Sequence, residues 1–64
     1  DTPENANQIA SVIKSKNNNY KVLYGGSITS ENVRSFTSMV NISGVLVGGA
    51  SLDAEEFIKI IQNA

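Results

Sequence analysis

The spacing of apolar residues changes along this chain, and each change predicts an element. Ala6, Ile9, Ala10 and Ile13 recur at intervals of three and four, which puts them on one face of a helix. Thr2, Pro3 and Glu4 stand just before them as an N-cap hydroxyl, a proline tolerated in the first turn and an acid matched to the helix dipole. The pattern predicts a first helix from Pro3 to Ser15. Lys16-Asn17-Asn18-Asn19 has no apolar period and a strong turn tendency, so it reads as an exposed loop inside a single domain. Tyr20 to Tyr24 reads as the first strand.

Beyond that strand, Thr29 is placed to cap a second helix, with Ile28 and Val33 at the two positions of a hydrophobic staple. Val33, Phe36 and Val40 form its expected buried face, with Met39 as a gap-filler. Asn41 is the expected left-handed stop. Ile42-Ser43-Gly44 then leads into Val45-Leu46-Val47, a strand with no polar alternation and so expected to be buried on both faces. For the last helix, Asp53 and Glu56 have the spacing of a capping box, and Leu52 and Phe57 that of a staple. Phe57, Ile60 and Ile61 form its expected inward face, flanked by Ile58. The order is helix, strand, helix, strand, helix. Two apolar strands joined through a helix are expected to run parallel, which makes this an α/β chain.

Each strand ends in a glycine pair: Tyr24-Gly25-Gly26-Ser27 in the first case, Val47-Gly48-Gly49-Ala50-Ser51 in the second. Parallel neighbours bring both turns to one carboxyl edge of the sheet, where α/β folds place their ligands. A strand that stops at glycines and feeds a helix can present outward-facing backbone N–H groups, an arrangement that holds phosphate without a cationic side chain. Glycine also lets the main chain approach a ligand closely and adopt positive φ, and a short helix beginning near Gly49 is expected to add a favourable dipole. The competing reading is that the glycines merely turn a corner. Two such turns at adjacent strand ends favour the cradle.

Composition narrows the possibilities further. The chain has 64 residues, no cysteine and no histidine, so neither disulfides nor the usual structural zinc sites can supplement a core this small. Its 5 basic and 6 acidic residues give a net charge of -1 and are scattered, with no basic stripe for nucleic acid. Lys14, Lys16, Lys21, Arg34 and Lys59 read as solvated surface, and Glu4, Glu31, Glu55 and Glu56 as helix-start acids. No apolar run approaches the roughly 20 residues of a membrane span, so no membrane partner is expected and the chain reads as soluble and intracellular.

Tyr24-Gly25-Gly26-Ser27, followed by Gly44-Val45-Leu46-Val47-Gly48-Gly49-Ala50-Ser51-Leu52, resembles the last two strand-and-loop signatures of the triosephosphate isomerase family. Thr2-Pro3-Glu4 is similar to the start of its sixth helix. The resemblance runs the whole length, from the sixth helix to the eighth. It implies that residues 1–64 are the C-terminal quarter of a (β/α)8 TIM barrel, an incomplete domain beginning just after the mobile substrate-closing loop. It also implies a cytoplasmic, homodimeric enzyme of glycolysis and gluconeogenesis that interconverts dihydroxyacetone phosphate and glyceraldehyde 3-phosphate without a cofactor or metal. The family uses a glutamate base, a neutral histidine electrophile and a water-excluding lid.

No catalytic residue of the family falls in this segment. What carries over is the phosphate site: the backbone N–H groups of Ser27, Gly48 and Gly49, with Gly25 and Gly26 supporting the turn. By the same resemblance the Tyr24 hydroxyl and the Ser27 side chain contact the closed lid. The other reading of Tyr24 is an aromatic at a strand end with its hydroxyl in water. Asp1 stands where the family often has small residues, and Ser38-Met39 and Asn41-Ile42-Ser43 depart from the acidic residues common before the last strand. Two alternatives remain: the last two βα units of another phosphate-binding barrel enzyme, such as an amino-acid biosynthetic isomerase or synthase, or a non-catalytic α/β fragment.

Overall fold

A computed structural model describes every residue from Asp1 to Ala64. Helix α1 spans Pro3–Lys14, strand β1 Leu23–Tyr24, helix α2 Val33–Thr37 and strand β2 Gly44–Val45; a 3₁₀ turn over Gly49–Leu52 then leads into helix α3, Ala54–Asn63. The predicted element order is the observed one. The strands pair in parallel, Leu23 against Gly44 and Tyr24 against Val45. Flanking bonds extend the ladder at both ends, from Ser43 N–H to the Val22 carbonyl at 2.8 Å and from Leu46 N–H to the Tyr24 carbonyl at 2.8 Å.

Both strands are shorter than their apolar runs. In this register Tyr20 and Lys21 would face Asn41 and Ile42, but Ile42 N–H is already committed to the Met39 carbonyl at 3.2 Å, closing a turn. Tyr20 in turn donates its N–H to the Asn17 carbonyl at 3.1 Å and stays outside the sheet. Strand pairing needs unspent donors on the partner, and the N–H groups of Asn41 and Ile42 are both committed elsewhere.

The core is Ala6 and Ala10 of α1, Ile28, Val33 and Phe36 on and before α2, Ile42, and Ile60 of α3. Both residues of the predicted Ile28 and Val33 pair are buried, and Met39 packs against this cluster. Tyr24 joins it by stacking on Phe36, ring centroids 4.0 Å apart and planes 14° from parallel. Val22, Tyr24, Val45 and Val47 turn toward the helices, whereas Leu23 and Leu46 on the opposite sheet face are 58% and 67% exposed. The expectation that the second strand is buried on both faces is therefore corrected. The helices of this chain cover one side of the sheet, and no layer of the chain covers the other.

The helix ends bring further corrections. Helix α1 begins as predicted, with the Thr2 hydroxyl oxygen accepting Asn5 N–H at 3.1 Å and Pro3 at the first position. Helix α2 stops at Thr37, short of Val40. The i to i+3 bond from Met39 N–H to the Phe36 carbonyl tightens the chain, and Val40 ends 84% exposed. Asn41 is not left-handed, since no residue of the chain has positive φ. Instead its N–H donates to Asn7 Oδ1 at 2.9 Å, so a bond to α1 stops it in place.

At α3, Asp53 caps through its carboxylate, which accepts Glu55 and Glu56 N–H at 3.1 and 3.3 Å. Such a cap contributes about 1 kcal/mol. The reciprocal half of the capping box does not form: Asp53 N–H donates to the Ala50 carbonyl, and the Glu56 carboxylate reaches Ser30. The staple is missing too, because Leu52 is 92% exposed. Ile60 is buried, but Ile58 and Ile61 are exposed, so the inward face is narrower than its spacing predicted.

With one sheet face bare and ten large apolar side chains exposed, the 64-residue chain alone is expected to melt broadly and to self-associate. Calorimetry with sedimentation checks this; a sharp, monomeric, cooperative transition would contradict it. The Tyr24 stack gives a second expectation. A Cβ at Gly26 would overlap the Tyr24 hydroxyl and ring, whereas one at Gly25 meets only the Leu46 side chain, at 3.7 and 3.8 Å. In the longer protein, Gly26→Ala is expected to cost about 1–3 kcal/mol by displacing Tyr24 from Phe36, and Gly25→Ala less than about 1 kcal/mol. Denaturant midpoints of the two variants decide it; equal stabilities would refute the packing role of Gly26.

Candidate functional site

The ladder places the two glycine turns beside each other. Continued past Tyr24 and Val45, the same register sets Gly25 level with Leu46 and Ser27 level with Gly48. Neighbouring strands lie about 4.8 Å apart, so Ser27, Gly48 and Gly49 share one carboxyl edge of the sheet. All three are exposed. Their N–H groups donate to no backbone or side-chain atom of the chain, whereas Ser51, one residue past Ala50, spends both its N–H and its hydroxyl on the Gly48 carbonyl, at 2.9 and 2.6 Å. All three main-chain donors are therefore unspent within the chain. A Cβ built on Gly48 or Gly49 meets no atom within 4 Å.

The reason for glycine here needs one correction. Positive φ was expected at these turns, yet no glycine has it, and Gly48 sits at φ -91°, ψ -113°. Glycine at 48 and 49 is therefore not required by a left-handed backbone. What it provides is an open approach from outside. The short helix expected near Gly49 begins there, as a 3₁₀ turn of four residues.

Ser27 is held from behind by a residue that the sequence did not single out. Asn32 Nδ2 donates to the Ser27 carbonyl at 2.8 Å, and Asn32 Oδ1 accepts Thr29 N–H at 2.8 Å. The Thr29 hydroxyl oxygen accepts Asn32 N–H at 3.3 Å. The Thr29 hydroxyl makes its predicted bond three residues on, but the reciprocal pair closes the turn before the helix and does not cap it: α2 starts only at Val33, with Asn32 as its N-cap and no side-chain cap bond. The signal in the sequence is a threonine three residues before an asparagine, a spacing that lets the two side chains bond each other's backbone N–H across a turn. Gly26 supports the turn for a different reason than expected, since it makes room for the Tyr24 ring.

Tyr24 is half-buried in the stack on Phe36, with its hydroxyl against Gly26. Its aromatic body is thus spent on the core, and neither reading made from the sequence included that packing. The glutamates lie away from any strand end: Glu4, Glu31 and Glu55 are exposed at helix starts, and Glu56 is bound to Ser30. No three His, Cys, Asp or Glu side chains are grouped to hold a metal ion, and no helix is long and apolar enough to cross a membrane. An apolar groove between α1 and β1, lined by Ile9, Ile13, Val22, Leu23 and Ile42, lies apart from the three donors. An oxyanion is better served by the donor edge than by a hydrocarbon groove.

Comparison with known proteins identifies the family and the fold. Residues 2–64 match the sequence profile of the triosephosphate isomerase family. The triosephosphate isomerase of Thermodesulfovibrio yellowstonii is 46% identical over 56 residues, which are 88% of this chain and 23% of that protein. That of Mesomycoplasma hyorhinis is 46% identical over 61 residues, 94% of this chain and 25% of that protein. The crystal structure of triosephosphate isomerase from Bartonella henselae matches with a TM-score of 0.83 and 28% identity, over 97% of this chain and 30% of that one. The chain spans about a quarter of the length of the curated relatives it matches. Parallel strands that end in paired glycines and are backed by helices are thus part of a TIM barrel, and the chain belongs to the triosephosphate isomerase family.

Proposed function

We propose that the protein containing this segment interconverts dihydroxyacetone phosphate and glyceraldehyde 3-phosphate, and that the segment, as the closing quarter of the barrel, grips the substrate phosphate. The observation that carries this reading is the set of three main-chain N–H groups, of Ser27, Gly48 and Gly49, that share one sheet edge and donate to nothing in the chain. Each such bond to a phosphate dianion is worth about 1.5–3 kcal/mol, so three suffice to anchor a small phosphate ester without a lysine or arginine.

Gripping the phosphate contributes to catalysis indirectly. It fixes the triose so that its two reacting carbons meet the proton-transfer groups in one orientation, and binding energy from the non-reacting end supports the chemistry at the other. Moving a proton between those carbons needs a base and a polarising acid. The chain has no histidine, and none of its glutamates stands at the carboxyl end of a strand, so those groups belong to the remainder of the barrel. The Tyr24 hydroxyl and the Ser27 side chain are assigned to the closed lid, and the whole protein is read as a cytoplasmic homodimer of glycolysis and gluconeogenesis; family membership supports both assignments.

The open surroundings of Gly49 make it a clean test. Gly49→Val in the full-length protein, with folding confirmed by circular dichroism, is expected to weaken phosphate ligands at least about tenfold by obstructing the approach to the main chain; within this segment its Cβ meets no atom. Ser27→Ala should cost less, since it retains its N–H. Calorimetric titration with inorganic phosphate checks both; normal binding by Gly49→Val with loss in Ser27→Ala would show that side chains, not backbone, read the anion. The 64-residue chain alone is expected to give no isomerisation above background. Turnover by a preparation free of host isomerase would refute that, and activity on adding the rest of the barrel would support it.

A further inference from the structure

The proposed phosphate site has a mechanical weakness. Its donors come from two turns far apart in sequence, and the sheet joining them has only two paired positions with one flanking bond at each end. A ligand site loses effectiveness when its donors drift by about 0.5 Å, so a second connection between the turns matters.

Such a connection exists at Ser30. Its N–H donates to Glu56 Oε2 at 2.7 Å and its hydroxyl to Glu56 Oε1 at 2.9 Å, while its carbonyl accepts from Asn63 Nδ2 at 2.9 Å. All three polar groups of one residue are thus bound by a single helix. Glu56 and Asn63 are seven residues, two turns, apart and so share one face of α3. That helix starts at Ala54, directly after the Gly49–Leu52 turn and its Asp53 cap. Ser30 lies three residues past Ser27, and Asn32 ties the intervening turn back to the Ser27 carbonyl. A continuous path therefore runs from Gly49 through α3 and the Glu56 carboxylate to Ser30 and Ser27.

We propose that Glu56 is a positioning residue for phosphate binding, setting the Ser27 turn against the Gly48-Gly49 turn through its two hydrogen bonds to Ser30. This rests on the phosphate reading given above. A carboxylate suits the task, because charge-assisted bonds are shorter and roughly twice as strong as neutral ones, and both of its oxygens are engaged. Glu56 is only half-buried, so the charge keeps part of its hydration. Its neighbour Glu55 is exposed and its side chain bonds to nothing, which provides a control on the same helix turn.

The experiment uses the full-length enzyme and measures inorganic phosphate affinity alongside kcat and KM. Glu56→Ala is expected to weaken phosphate and raise KM about tenfold, with kcat at saturation changed less than about threefold. Glu56→Gln, which can still accept the Ser30 N–H and pair with its hydroxyl, should remain within about threefold of the parent, and Glu55→Ala should match it. Ser30→Ala, which keeps the N–H bond, should fall between, and it carries the comparison if Glu56→Ala does not fold. A Glu56→Ala or Ser30→Ala enzyme that melts earlier but binds phosphate as the parent does would reduce Glu56 to a structural tie and overturn the proposal. A parent enzyme that binds no phosphate would overturn the phosphate reading first, and this one with it.

Discussion

The placement of both glycine turns depends on the parallel pairing of Leu23 with Gly44 and Tyr24 with Val45. That register determines which turn residues stand level at the sheet edge. A slip of one residue would reverse the faces of a whole strand, sending Val45 and Val47 outward and Leu46 into the helices. Burial specifies the register. Phe36, stacked on Tyr24, and the half-buried valines of both strands leave one arrangement in which the apolar side chains reach the helix layer.

The same arrangement explains the exposed apolar side chains. Ala6 and Ala10 let α1 approach closely, and Ile60 anchors α3, but the opposite sheet face has no layer from this chain and leaves Leu23 and Leu46 open. A barrel buries that face against its other strands, each supplying inward-pointing side chains to a filled interior. The segment spans about a quarter of its relatives' length, and its core is correspondingly one-sided. Stability of the whole barrel and geometry at the glycine edge are therefore coupled through these two strands.

Hydrogen bonding at the edge divides the work between main chain and side chains. The unspent donors are backbone N–H groups, whereas the side chains nearby fasten the loops: Asn32 on Ser27 and Thr29, Ser51 on Gly48, Glu56 on Ser30. A main-chain donor has no rotamer to immobilise when a ligand arrives, so what it needs is a rigid support rather than flexibility. Polar side chains that form the support are inconspicuous in sequence, since asparagine, serine and glutamate at helix starts are common anywhere.

What was legible in the sequence was local and periodic. The order of elements, the Thr2 and Asp53 caps, the Thr29 turn, the parallel pairing and the two glycine turns at strand ends all follow from spacing and turn chemistry, because each depends on residues close together in the chain. What failed depended on distant partners. The first strand lost Tyr20 and Lys21 because the N–H groups of the facing Asn41 and Ile42 were spent elsewhere; Asn41 was held by Asn7 in place of a left-handed backbone; Glu56 left its capping box for Ser30. Val40, Leu52 and Ile61 have the spacing of core residues and are exposed, since a periodic pattern marks a face but not what covers it. Sequence determined which segments could be helix, strand or glycine turn, and only tertiary structure decided which groups were already taken, because a hydrogen-bonding atom's partner is set by what lies next to it in space.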